Sequence, residues 1–420
     1  MSMVNLPPAS ASRVGLFGAM KHRDYRLLWF SGILCYHAMW IEIAGLGWIV
    51  LELTNSPWLV GVVGFCRMVP MPLLGMFVGV LTDRMPGKRL VVGGQLINII
   101  SSLILLALLW FDALQFWHIA VLSVSLGVGW TLDFPARRAI VMDIVGQSRL
   151  TNALIMDSSA FIISIMVGPI YAGLLLGISA TATIGVVVIF YFVGFGVLQF
   201  VRATNGNIGD IRENPFLMIK EGFRHVLTNQ LLLGVFLITV VANLFLFPFV
   251  SMTPVFARDV LGVGTVLFGI LGAASGFGSL VGLVVLGALP DPKGPARVFA
   301  YGVILAMAII LLFTFSRVFF LSVALLFVAG LGTAGFASMQ FPLVLKGAPE
   351  SVRGRAMGVL MIGIGMGPIG VLITGATAEL WGAPVAVAIN CVLGLLMLFG
   401  LVGKFKIFRQ SETRISNDIK

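Results

Sequence analysis

The sequence predicts an all-α membrane protein: twelve transmembrane helices in two pseudo-symmetric six-helix bundles, with both termini cytoplasmic. Three observations carry this. Across 420 residues, 59% are hydrophobic and only 10% charged, whereas a soluble chain carries about 25% charged residues to cover its surface. Uncharged apolar runs recur at the roughly 20-residue length that crosses a ~30 Å hydrocarbon core. The cations, finally, fall between these runs in a regular alternation.

The first span is placed at 27–53 and encloses Glu42 and Glu52; the second, 57–81, encloses Arg67. The third and fourth follow at 90–111 and 115–135. A long charge-free run over 158–201 holds two helices broken at Gly177-Ile-Ser-Ala, which gives 152–176 and 181–201. In the second half the spans are 231–256, closing at Arg258, then 264–289, 298–316, 318–345, 356–379 and 383–403. With the N-terminus inside, only Arg67, Arg258 and Arg317 of the 27 cationic residues fall off the cytoplasmic face. The formal charge of +10 is then a topological signal, and nucleic acid is not expected as a partner.

Residues 1–24 contain Pro7-Pro8 and no apolar run, so they read as a cytoplasmic segment and no signal peptide. The six-helix bundles occupy 25–201 and 231–403, followed by a cytoplasmic tail, 404–420. Between the bundles, 202–230 is the one long polar stretch. Lys220, Glu221, Arg224, His225 and Thr228 share a helical face there, opposite Phe216, Leu217, Phe223, Val226 and Leu227, which predicts an amphipathic helix on the cytoplasmic surface. Cys35, Cys66 and Cys391 lie at membrane depth without metal spacing and read as small apolar packers. No metal site is expected.

The halves echo each other. Gly79-Val-Leu-Thr-Asp83 after the second span recurs as Gly287-Ala-Leu-Pro-Asp291 after the eighth, and Gly168-Pro169-Ile170 in the fifth recurs as Gly367-Pro368-Ile369 in the eleventh. Parallel repeats about an axis along the membrane normal are a recurring transporter plan.

These same stretches carry a resemblance. Gly79-Val-Leu-Thr-Asp83-Arg84-Met-Pro-Gly87-Lys88-Arg89 resembles the loop motif between the second and third helices of the major facilitator superfamily. Ser164-Ile-Met-Val-Gly168-Pro169-Ile-Tyr-Ala-Gly173 resembles its fifth-helix antiporter motif, with Ser164 and Ala172 in place of glycines. Tyr25-Arg26-Leu-Leu-Trp-Phe, Leu53-Thr-Asn-Ser-Pro57, Asp133-Phe-Pro-Ala-Arg137, Asn152-Ala153 and Arg353-Gly-Arg355-Ala-Met-Gly are similar to its secretion-effector branch, which includes enterobactin exporters and macrolide efflux pumps. The resemblance implies that Asp83 pairs with a helix N-terminus across the interface between the halves and biases one facing of the transporter. Arg84, Lys88 and Arg89 would hold the turn at an anionic leaflet, and Arg137 joins this conformational set.

Ionisable groups inside the membrane are costly, about 2.5–3.5 kcal/mol at a helix centre, and mark function. Glu42 lies about 24 Å along the first helix from Arg26 and is the leading proton-coupling candidate, with Asp157 and Asp133 behind it. Glu52 reads as a solvated residue near the outer end. Arg67 could bind an anionic substrate, balance Glu42, or hold helices together in a fixed ion pair. Asp133 and Asp157 are within reach of Arg137 and Arg138, either as a charge cluster that opens and closes or as solvated helix ends. Asp133 and Arg137 share a face only if Pro135 leaves the helix intact. His37 reads as a satisfied polar residue. Asn98, Asn243, Gln340 and Asn390 either line a cavity or bond between helices; Trp40, Trp48, Phe245 and Phe247 are candidates for substrate contact.

No nucleophile–base pair, phosphate-cradling loop or metal cluster is present in the sequence, so an enzyme is not expected. Without a nucleotide motif, transport would draw on an ion gradient, the proton first, with no cofactor. The preferred reading is a monomeric proton-coupled exporter of a small amphipathic molecule, siderophore-like or drug-like, in the inner membrane of a bacterium. A facilitator or importer without proton coupling, and a non-transporting receptor, remain alternatives.

Overall fold

The computed structural model describes residues 18–146, 149–202, 215–288, 294–349 and 352–408. The side chains of Asp83, Arg84 and Lys220, the Asp291 repeat, and the expected segments 1–17, 203–214 and 409–420 lie outside the described residues. Among the described residues, twelve helices have the length and apolarity to cross a membrane: Arg23–Thr54, Pro57–Gly75, Gly87–Trp110, Phe116–Val145, Asn152–Leu176, Ala180–Gln199, Gln230–Val260, Thr265–Ala288, Pro295–Phe315, Phe319–Gly347, Arg353–Trp381 and Ala383–Lys404. They are numbered here as spans one to twelve.

Local chemistry sets the turns. Span one ends where Asn55 takes a left-handed conformation (φ 52°) and returns its N–H to the Leu51 carbonyl, as Asn tolerates better than most side chains. Span two starts one residue later: the Ser56 hydroxyl accepts the Leu59 N–H at 3.2 Å, and Pro57 sits where a helix has an N–H to spare. Asn229 caps span seven in the same way, accepting from Leu231 and Leu232 at 2.9 and 3.2 Å.

Four spans depart from the simple rods expected. Span four continues past Pro135 as one helix, Phe116–Val145, whereas the sequence placed its end at 135. The charged pair that looked like a membrane boundary is buried inside the bundle, so the helix has no reason to stop there. Span two divides at Val69 into Pro57–Met68 and Pro70–Arg84, because Pro70 supplies no N–H to the ladder. Span eleven divides at Gly365-Met366, just ahead of Pro368. Span seven winds through a π turn over Ala242–Leu246 and a 3-10 stretch over Phe247–Met252, local geometries that accommodate Pro248 and Pro254.

Spans one to six pack among themselves, as do spans seven to twelve, and few spans bridge the two sets. The principal bridges are span five on span eight and span two on span eleven, with span one touching the last turns of span seven. An even number of spans brings the first and last described residues to one end of the molecule. Helix Pro215–Thr228 precedes span seven at that end; Phe223 meets Phe236 edge-on at 5.7 Å and Glu221 pairs with Arg355 at 2.6 Å. Its apolar face therefore covers the starts of spans seven and eleven.

Charge is distributed unequally between the halves. Spans seven to twelve carry Asp, Glu, Lys and Arg only near their ends, whereas Glu42, Arg67, Asp133 and Arg137 lie well inside spans one, two and four, and Asp157 is buried in the second turn of span five.

Candidate functional site

The contacts between the halves concentrate at the end opposite the termini, and small residues make them possible. A Cβ on Gly173 would lie 2.9 Å from the Gly269 Cα, and one on Gly276 would lie 3.1 Å from the Met166 Cα. In the second seam, a Cβ on Gly61 would lie 2.9 Å from the Gly375 Cα. Removing side chains lets backbones approach and dispersion contacts accumulate where hydrocarbon solvent supplies no hydrophobic drive. Polar contacts finish this end. Glu379 accepts the Ser56 hydroxyl at 2.8 Å and the Trp58 N–H at 3.1 Å. Arg258 donates to the Leu51 carbonyl at 2.8 Å, and the Trp48 and Phe268 rings meet at 5.0 Å.

The Gly168-Pro169 pair lies where span five is pressed between two neighbours. A Cβ on Gly168 would come within 3.1 Å of the Trp40 backbone carbon, while one on Gly272 would meet the Pro169 ring at 3.0 Å. Gly173 completes the strip one turn further on. Ser164, which stands where the resembling motif has glycine, hydrogen-bonds with His37 Nδ1 at 2.8 Å and donates to the Ala160 carbonyl at 2.9 Å. In the first turn of span three, Lys88 donates to the carbonyls of Gln199, at 3.0 Å, and Val201. It thus satisfies open carbonyls at the end of span six, a favourable place for a cation.

Glu42 and Arg67 come together in the middle of the first half. Arg67 Nε is 3.3 Å from Glu42 Oε1, with the carboxylate fully buried. Tyr191 of span six donates to Oε2 at 3.2 Å. The pair is under-satisfied: Glu42 Oε1 and Arg67 Nε and Nη2 have no hydrogen-bond partner among the described residues. A buried ion pair with unmet donors is poorly compensated for lost hydration, and neutralising one member by a proton would remove much of that cost. Nearby, Trp40 Nε1 is likewise unpartnered.

Asp133 and Arg137 form the opposite kind of pair. Two parallel bonds of 2.8 and 2.9 Å join Nε and Nη2 to the two carboxylate oxygens, and Nη1 donates to the Leu28 carbonyl at 3.1 Å. The helix running through Pro135 gives the four-residue spacing this fork requires. Asp157 has no such partner. Among the described residues, its two oxygens accept only from Tyr36, at 3.0 and 3.3 Å, although it is nearly as buried, 4% exposed.

In the second half, the expected polar residues bond between or along helices. Gln340 donates to Thr239 Oγ1 at 3.0 Å, Asn243 to the Thr239 carbonyl at 2.9 Å, and Asn390 to Thr374 Oγ1 at 2.7 Å. Asn243 lies in the π turn, and Phe247 follows it to meet Phe336 at 5.6 Å. Glu52 is exposed and accepts from Trp48.

Sequence reasoning missed an aromatic cluster around Asp157. Tyr36, Trp130, Phe134 and Phe161 are linked by ring contacts of 4.9–6.3 Å, with Trp40 reaching Phe161 at 6.2 Å. The available signal was four-residue spacing: Tyr36 with Trp40, Trp130 with Phe134, and Asp157 with Phe161 each share a helix face.

Comparison with known proteins agrees with this architecture. The family described as transmembrane secretion effector matches residues 14–418. A staphyloferrin A transporter of Staphylococcus aureus is 24% identical over 362 residues, covering 84% of this chain and 89% of its own. Macrolide efflux protein A of Streptococcus pyogenes is 23% identical over 341 residues, covering 78% and 82%. A crystal structure of a nucleoside transporter superposes with a TM-score of 0.75 at 13% identity, over 91% of this chain and 100% of the other, which places the fold. Twelve spans, two packed halves and a match over almost the whole length make this multi-pass membrane protein a transporter of the major facilitator superfamily, a member of its transmembrane secretion effector family.

Proposed function

We propose that the protein exports a small amphipathic molecule in exchange for protons, by alternating access between its two halves, from the cytoplasmic membrane of a bacterium with both termini inside. The under-satisfied Glu42–Arg67 pair carries this reading. A carboxylate at mid-membrane depth, held by one tyrosine and one poorly aimed guanidinium, changes its charge with little rearrangement of its surroundings. The glycine seams support the alternation: contact between the halves is concentrated away from the termini, the arrangement of a transporter open toward the cytoplasm. Asp133, locked to Arg137, is assigned a structural part, and Asp157 a part in the cavity. The similarity to a macrolide efflux protein supports the outward direction in this reading.

Reconstituted liposomes test it. With an imposed pH gradient, accumulation of a lipophilic dye is expected in wild-type vesicles, and Glu42→Gln should retain exchange while losing the response to the gradient. Equal flux with and without the gradient in wild-type vesicles would identify a facilitator instead.

A further inference from the structure

We propose that Asp157 and the rings around it form a binding subsite for an organic cation, so that the transported molecule carries an ammonium or comparable positive group. This rests on the exporter reading only in supposing that a substrate enters between the halves. Three helices each contribute two residues at four-residue spacing to one cluster: Tyr36 and Trp40, Trp130 and Phe134, Asp157 and Phe161. Four of the five rings are half-buried rather than sealed. Span four, which supplies two of them, packs chiefly on spans of its own half.

Electrostatics select the sign of the ligand. Asp133 and Arg137 neutralise each other through a two-bond fork. Among the described residues, the Asp157 carboxylate accepts hydrogen bonds only from the neutral Tyr36 phenol, while the Arg137 and Arg138 charges act on it through space. Aromatic faces present negative potential to a cation within about 6 Å, and desolvation strengthens the attraction. A buried carboxylate walled by such faces therefore favours a positive group that sheds water readily. The protein's own cations already sample the site's edge: the Arg138 guanidinium lies 4.2 Å from the Phe134 centroid, and Arg137 lies 6.0 Å from that of Tyr36. Arg138 is exposed and free to swing away, so a substrate cation would replace it over Phe134. An anionic ligand would meet the same carboxylate unfavourably.

Titration calorimetry on the purified full-length protein in detergent tests this, using tetraphenylphosphonium as cation, triphenylphosphine oxide as neutral control and citrate as anion. Saturable tetraphenylphosphonium binding is expected, at least about tenfold tighter than the neutral analogue. Asp157→Asn should weaken it about tenfold and Phe134→Ala several-fold, whereas Arg138→Gln should leave it equal or tighter. Asp157→Glu, which retains the charge, should recover most of the binding and shows that a weak Asp157→Asn is not merely misfolded. No saturable binding of the cation, indifference to Asp157→Asn, or preferred binding of citrate would overturn the inference. Proton-driven flux is a separate readout. If a neutral amphipath is exported by wild-type vesicles while the cation fails to bind, the subsite falls and the exporter stands. Cation binding without any gradient-driven flux leaves the subsite standing and removes the exporter.

Discussion

Gly61 and Gly375 face each other across the boundary between the halves so closely that a Cβ on either would lie 2.9–3.0 Å from the other's Cα. Such a contact forbids any side chain while this end is closed. Gly375→Val is therefore expected to depopulate the closed end and reduce transport by at least about tenfold, since even small overpacking costs about 1–3 kcal/mol. Disulfide trapping of a Ser56→Cys/Glu379→Cys pair checks it: efficient cross-linking in the wild-type background, and loss of it with Gly375→Val.

Glu379 should bias the same equilibrium more gently. It accepts from the Ser56 hydroxyl and the Trp58 N–H at the start of span two, a helix end that favours an anion by about 0.3–1 kcal/mol. Glu379→Gln is expected to open this end about two- to fivefold more often, with the difference shrinking as salt rises. Thiol labelling of a cysteine introduced at Ser56 reads that opening directly.

Removing Arg67 should harm the fold more than removing the pair. Arg67→Ala leaves Glu42 buried with Tyr191 as its remaining partner, a loss of about 3–5 kcal/mol when a buried pair is broken on one side. The double variant Glu42→Gln/Arg67→Gln is expected to recover much of that stability. Thermal unfolding in detergent, arranged as a double-mutant cycle, gives the coupling.

Arg137→Lys should behave as a severe substitution. The guanidinium makes three bonds at once, two to Asp133 and one to the Leu28 carbonyl, and an ammonium cannot reproduce that planar fork. A loss of about 1–3 kcal/mol is expected, visible as a lowered unfolding midpoint. Transport in molecules that remain folded should be largely retained, because the proposed coupling step runs through Glu42.

The spans were legible because membrane crossing is a one-dimensional constraint: apolar length and cation position write it directly into the chain. The Glu42–Arg67 meeting was among the readings left open for Arg67, beside an anionic substrate, and only the three-dimensional contact selects it. The course of span four was not legible. Asp133 and Arg137 look like a polar boundary until a bundle closes around them, and burial of this kind depends on neighbours far away in sequence. The aromatic cluster escaped for a related reason. Trp40 and Asp157 stood out singly, but Trp130 with Phe134 reads as ordinary apolar bulk until three helices converge. Which charges stay compensated, Asp133 but not Asp157, was decided by geometry that spacing alone does not contain.

The confinement of membrane-depth charge to spans one, two, four and five gives the molecule a division of labour. The half that holds Glu42 and Arg67 must preserve its energetics, and nearly any change there touches a buried ion. The other half offers Asn243, Phe247 and Gln340 on a frame without deep charges. Substitutions on that frame meet no deep ion, so under the proposed function they can adjust the fit of the uncharged part of a cargo while the Asp157 subsite and the Glu42–Arg67 pair of the first half stay undisturbed. New specificities for cargo shape would then arise first in spans seven to twelve, by steps that leave every buried charge in place.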